Sequence, residues 1–135
     1  MTERNPLKDH DYLVLVLARW LERNDFLVAA NLEDRTKPPS IAGHRPDVFA
    51  KQADREVIGE AELCGLLGDP ETQDRWRALG DALTSSSSES ICELHIIVPS
   101  QCLEEARQQV ANLGITAVIH TEKLADQPGL AEEHD

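Results

Sequence analysis

His44-Arg45-Pro46-Asp47-Val48-Phe49-Ala50 and, beyond a polar stretch, Val57-Ile58-Gly59-Glu60-Ala61-Glu62-Leu63 are the two segments that decide how this chain folds. Each reads as a short strand of apolar and β-branched residues bounded by polar ones. Closing the pair through a turn between Ala53 and Asp54 sets Lys51 opposite Glu56, Phe49 opposite Ile58 and Asp47 opposite Glu60. Side chains alternate along a strand, so Glu62 shares the face of Glu60. Opposed residues of an antiparallel pair hold their Cβ atoms about 4.5–5.5 Å apart, where like charges repel unless a positive charge sits between them. A divalent cation would supply that charge.

Upstream, Leu13, Val16, Leu17, Trp20 and Leu21 repeat with helical period, predicting a helix over Asp11–Arg23 with Asp9 or Asp11 as N-cap. Asn24-Asp25 turns the chain into a strand, Phe26–Ala30, and a polar loop follows over 31–43. Downstream, Asp69-Pro70 opens a helix that runs to about Leu83, with Trp76, Leu79 and Leu83 on one stripe. The serine-rich stretch 84–90 is a connector. Cys92–Val98 reads as an interior strand, and Pro99-Ser100 opens a helix carrying Leu103, Ala106, Val110 and Leu113. Gly114 is the expected C′ residue and Ile115–His120 the last strand. The expected order is α-β-β-β-α-β-α-β: an α/β fold whose mixed sheet combines an antiparallel hairpin with a right-handed parallel crossover, helices covering both faces. One domain over 1–121 and an acidic flexible tail over 122–135 are expected.

At 135 residues the chain can bury a core without staples, and with 41% hydrophobic but only 4% aromatic residues that core is aliphatic. The net charge of −12 argues against broad, non-specific nucleic-acid binding. Residues 86–135 hold nine acids against two bases, so much of the excess lies away from the hairpin. Cys64, Cys92 and Cys102 show no CxxC spacing and read as buried thiols in a reducing compartment. No cationic-then-apolar leader pattern opens the sequence, and no apolar run approaches the ~20 residues that span a bilayer. A cytoplasmic protein without membrane contact is the expectation.

Pro46-Asp47 on the second strand and Glu60-x-Glu62 on the third, within this element order, resemble the PD-(D/E)XK nuclease superfamily, whose core is restriction-endonuclease-like or resolvase-like. The order matches over about 11–120 and the motif over 46–62. The resemblance implies Mg²⁺ or Mn²⁺ held by Asp47 and Glu60, with the Ala61 carbonyl as a further ligand, and hydrolysis of DNA phosphodiesters. Glu62 stands where the family has Lys. Lys51, Lys37 or Arg45 would then supply a migrated cation, and Glu22 would correspond loosely to the first-helix glutamate of some members. Many members act as dimers, so a homodimer is implied as well.

The chemistry also stands on the residues themselves. Mg²⁺ prefers hard oxygen ligands, and bound metal acidifies water and stabilises charge on a phosphodiester. Glu62 could be a third ligand or a base that orients water. Arg35, Lys37, Arg45 and Lys51 are the candidate DNA contacts. His44 could touch phosphate or metal, and Gln73 or Arg77 could reach the site from the following helix, though solvent-facing roles are the plainer reading for all three. Glu22 reads as a surface ion-pair residue and His95 as a satisfied core or edge histidine. There is no glycine-rich phosphate loop, GxSxG or Ser/His/Asp arrangement. Two other readings stand beside the nuclease: a nuclease-fold module without catalysis that binds protein or nucleic acid, and an acidic protein that mimics nucleic acid.

Overall fold

A computed structural model describes residues 6–84 and 91–127. In chain order the elements are α1 (Pro6–Arg23), β1 (Leu27–Ala30), β2 (Val48–Gln52), β3 (Arg55–Ala61), α2 (Pro70–Thr84), β4 (Ile91–Val98), α3 (Leu103–Leu113) and β5 (Val118–Thr121). The strands form one mixed sheet with spatial order β1-β2-β3-β4-β5. β1, β2 and β3 are antiparallel neighbours; β4 runs parallel to β3, and β5 to β4. The class is α/β, as expected.

The β2–β3 register is the one the sequence predicts: Phe49 pairs with Ile58 and Lys51 with Glu56. The turn that fixes it holds Ala53 at φ +48°, in the left-handed region. A Cβ is disfavoured there and glycine is not. Ala53→Gly should therefore stabilise the protein by about 0.5–1 kcal/mol, raising the thermal midpoint by about 2–4 °C in a calorimetric scan.

Burial follows the alternation of side chains across the sheet. On one face α1 packs Leu13, Leu17 and Leu21 against Val48, Ala50, Val57 and Ile97. On the other, α2 and α3 pack Trp76, Leu79 and Ala106 against Ile58, Leu94, Ile96 and Val98. The adjacent residues Ile96 and Ile97 are both fully buried, as befits an interior strand. Gly59 sets the closeness of α1: a Cβ built there would lie 2.6 Å from Leu17 Cδ2 and 2.9 Å from Val48 Cβ. The glycine before Glu60 is therefore a packing requirement.

Several boundaries differ from expectation. α1 starts at Pro6 instead of Asp11, proline suiting the first helical position. Asp69 caps α2 as expected, its Oδ1 accepting from Glu71 N at 3.0 Å. Residues 122–127, expected to open a flexible tail, are instead packed onto the fold. Glu122–Asp126 form a 3-10 helix, Leu124 is buried in the α1 core, and Arg23 donates to the carbonyls of Leu124 (3.4 Å) and Gln127 (3.0 Å). Apolar burial of Leu124 and the guanidinium at the end of α1 hold this stretch. Residues 85–90 and 128–135, most of the expected connector and tail, lie outside the described residues.

The cysteine expectation is also corrected. Cys64 and Cys102 form a disulfide, and Cys92 is not part of it. The bridge joins the turn after β3 to the turn before α3, whose Cα atoms stand 5.7 Å apart although 38 positions separate them in sequence. Spacing along the chain carries no signal for a pair made by tertiary proximity. No helix among the described residues is long and apolar enough to cross a membrane.

Candidate functional site

Glu60 lies in the middle strand with 2% of its surface exposed, where a carboxylate costs several kcal/mol unless paired. Its partners come from two elements, and a third reaches Asp47. Asp47, just before β2, donates its backbone N–H to Glu60 Oε2 at 3.0 Å. Asp47 Oδ2 in turn accepts from Ala61 N at 2.9 Å. The two carboxylates thus lace the open end of the β2–β3 hairpin, each holding the other strand's backbone. From α2, Arg75 binds Glu60 Oε1 through Nε and the Arg45 carbonyl through Nη2. From α1, His10 Nε2 stands 3.3 Å from Asp47 Oδ2. Glu62, one pleat beyond Glu60, accepts from Leu63 N at 3.1 Å and from Thr72 Oγ1 at 3.2 Å.

These side chains line a cleft of about 620 Å³. Asp69, Glu71 and Asp74 add negative charge to its wall, and His44 reaches it from a small hairpin. In that hairpin Ile41 and His44 exchange both backbone bonds across Ala42-Gly43, at φ +53° and +80°. Asn31 N, which donates to the Asp47 carbonyl at 2.8 Å, ties the long loop down beside the site.

The electrostatics reflect crowded charge. Burial, then the neighbouring Asp47, pushes the Glu60 carboxyl up to about 7, against the pull of Arg75. Burial also lifts Glu62 above the ordinary carboxylate range. The hydrogen bond to Asp47 raises His10 to about 9, against burial, so its imidazole is a cation at neutral pH.

A second polar cluster lies on the α1 face. His95 Nδ1 and His120 Nε2 are 2.8 Å apart, His95 Nε2 is 3.4 Å from Glu93 Oε1, and Arg55 binds that oxygen at 2.7 Å. His95 is thus the satisfied histidine expected, and Trp20 packs on His120 with ring centroids 5.1 Å apart. Burial lowers both histidines, His120 to about 4. Between about 4 and 6.5 the unfolded chain binds the His120 proton and the folded one does not, so stability from this group rises with pH. Glu60, from 4.5 to about 7, and His10, from 6.5 to about 9, act in the opposite sense: the folded state keeps protons the unfolded chain has released. The thermal midpoint should accordingly peak near pH 6 (roughly) and fall towards pH 9, and His10→Gln should flatten the limb above pH 7. A series of scans across pH checks both.

Of the expected site residues, Asp47, Glu60 and Glu62 line one cleft. The expected cations do not gather there. Arg35 forms a two-pronged pair with Glu22 at 2.9 and 3.1 Å, which makes Glu22 the surface ion-pair residue expected and not a site residue. Lys37 binds the Leu32 carbonyl, and Lys51 pairs with Glu56 at 3.9 Å at the far end of the hairpin. Arg45 offers the site its carbonyl. Gln73 and Arg77 line a different depression, against α3. Sequence reasoning missed His10, Thr72 and Arg75, which supply the contacts those residues do not.

Family models, curated proteins and solved structures offer no match to this chain.

The donor set suits a hard cation: carboxylate oxygens of Asp47, Glu60 and Glu62, with the Ala61 backbone adjacent. Among the described residues no three His, Cys, Asp or Glu side chains converge as a ready metal centre. The positive charge that meets Glu60 is Arg75.

Proposed function

We propose that this domain is a metal-dependent nuclease with a restriction-endonuclease-like core, hydrolysing DNA phosphodiesters at Asp47, Glu60 and Glu62. The observation that carries the reading is the lacing of Asp47 and Glu60 across the open end of β2 and β3 inside a cleft. Two structural carboxylates would not need a cleft, and a carboxyl raised by burial and then by a neighbouring charge, as Glu60 is, is a common signature of a working site. The element order and the single step from antiparallel to parallel pairing at β3–β4 support the finer fold assignment.

Asp47 would hold Mg²⁺ or Mn²⁺, joined by Glu60 once Arg75 releases it. When bound, the metal acidifies water and neutralises developing charge on the phosphoryl oxygens. The chain's own groups do the rest. Glu62, lifted by burial and aimed by Leu63 N and Thr72 Oγ1, takes a proton from water. Arg75 and the His10 imidazolium face a phosphate, Arg75 by a planar fork suited to two oxygens. The acidic wall disfavours a long duplex footprint, so a short or unpaired segment is the substrate proposed.

One observation favours a second reading. The Arg75–Glu60 pair already neutralises the position a metal would occupy, as in a nuclease-fold module that has lost catalysis. Titration calorimetry with Mg²⁺ and Mn²⁺, run beside cleavage of single-stranded, nicked and duplex DNA, decides between them. The nuclease reading expects metal binding at millimolar concentration or below and cleavage that chelation abolishes. Absence of both would leave the module.

A further inference from the structure

A second cleft, of about 460 Å³, flanks the first on the other side of the segment that leaves β3. Leu63 lines it, next in the chain to Glu62, and Asp9 lines it, next to His10. The two clefts therefore share the end of β3 and the start of α1. Leu13 and Leu63 give this one an apolar lining, and Tyr12 contributes an aromatic ring that is 52% exposed. Gln101 and Glu122 line it too, with Glu122 Oε1 accepting from Ser100 N at 2.7 Å.

Asp9 and Glu122 are carboxylates, and no Lys or Arg is among the described lining residues. That lining repels a phosphate. It suits a flat, uncharged ring that stacks on an aromatic face and offers amine hydrogens to carboxylate or amide oxygens. We infer that the cleft receives one unpaired nucleobase of the strand whose phosphodiester lies at Asp47 and Glu60. The base stacks on Tyr12, and its exocyclic amine donates to Glu122 or to the Gln101 side-chain carbonyl. The inference rests on the nuclease reading and sharpens it, because a stacked base requires single-stranded or locally unpaired DNA. On so acidic a protein, stacking supplies affinity that phosphate neutralisation cannot.

The test uses free nucleosides, which carry no phosphate and need neither metal nor turnover. Amide NMR spectra of the full chain are recorded during titration with cytidine and with thymidine, at millimolar concentration. Cytidine should shift Tyr12, Leu13, Leu63 and Gln101, and thymidine, which lacks the exocyclic amine, should bind more weakly. Tyr12→Ala should weaken cytidine binding about 5- to 100-fold, and Tyr12→Phe should retain it. Tyr12 is half exposed, so the alanine variant should keep the wild-type melt; Gln101→Ala gives a second, milder reading of the same cleft. Cytidine binding without DNA cleavage would count against the carboxylate site alone. Absence of shifts, or shifts that survive Tyr12→Ala, would overturn the inference. So would shifts produced by arginine methyl ester and not by cytidine, which would assign the cleft to a cationic side chain of a protein partner.

Discussion

Asp47→Asn is expected to remove Mg²⁺- or Mn²⁺-dependent cleavage, by at least about a hundredfold, while leaving a folded protein. The substitution keeps shape and the acceptor that Ala61 N–H requires. It also keeps the Asp47 backbone N–H that binds Glu60. What disappears is one negative charge, and two neighbours report it. Glu60 should ionise at lower pH, because Asp47 repulsion is the second cause of its elevation, after burial. His10 should return towards its ordinary value of 6.5, because its bond to Asp47 is the main cause of its elevation. Gel assays of nicking and NMR titration of the His10 imidazole measure the two halves separately. Equal cleavage by Asp47→Asn and wild type would discard the site. A shifted His10 without any cleavage in either protein would show that the electrostatics are right and the enzyme reading is not.

The site reads as two carboxylates and their counter-charges, and only the first half was legible in the sequence. The hairpin register followed from a polar turn between two short apolar runs, and it set Asp47 against Glu60 without further information. The counter-charges come from helices, and helical phase locates them. Trp76 and Leu79 define the buried stripe of α2. One turn back along that stripe lie Thr72 and Arg75, which touch Glu62 and Glu60. Gln73 and Arg77 fall on the neighbouring face and go elsewhere. Likewise Leu13 and Leu17 point back to His10, which drops out of view when α1 is started at Asp11. Extending a core stripe by one turn towards the sheet end would have found all three. The Cys64–Cys102 bridge and the docking of Leu124 under α1 depend on long-range packing, which no local pattern encodes.

Arg75 is where fold and chemistry meet, and removing it should be costly in a pH-dependent way. Its side chain is 31% exposed, whereas Glu60's is 2% exposed. Arg75→Ala therefore leaves a buried carboxylate with its Asp47 N–H bond and a nearby negative charge. Breaking a fully buried ion pair from one side costs about 3–5 kcal/mol. Partial exposure of Arg75 and the ability of Glu60 to take up a proton should reduce this to about 2–4 kcal/mol at pH 8. At pH 5 the cost should be smaller, because Glu60, raised to about 7, is already protonated in the folded wild type. The double variant Arg75→Ala/Glu60→Gln should recover much of the loss at pH 8, since the orphaned charge is gone. Denaturant melts of the four proteins at both pH values measure the coupling. A penalty independent of pH, or a double variant no more stable than Arg75→Ala, would mean that Arg75 acts through the Arg45 carbonyl and packing. The same proteins also separate the two functional readings. If metal must displace Arg75 from Glu60, Arg75→Ala should bind Mn²⁺ more tightly than wild type even as its stability falls. A module in which the guanidinium has permanently replaced the metal should lose stability and gain no affinity.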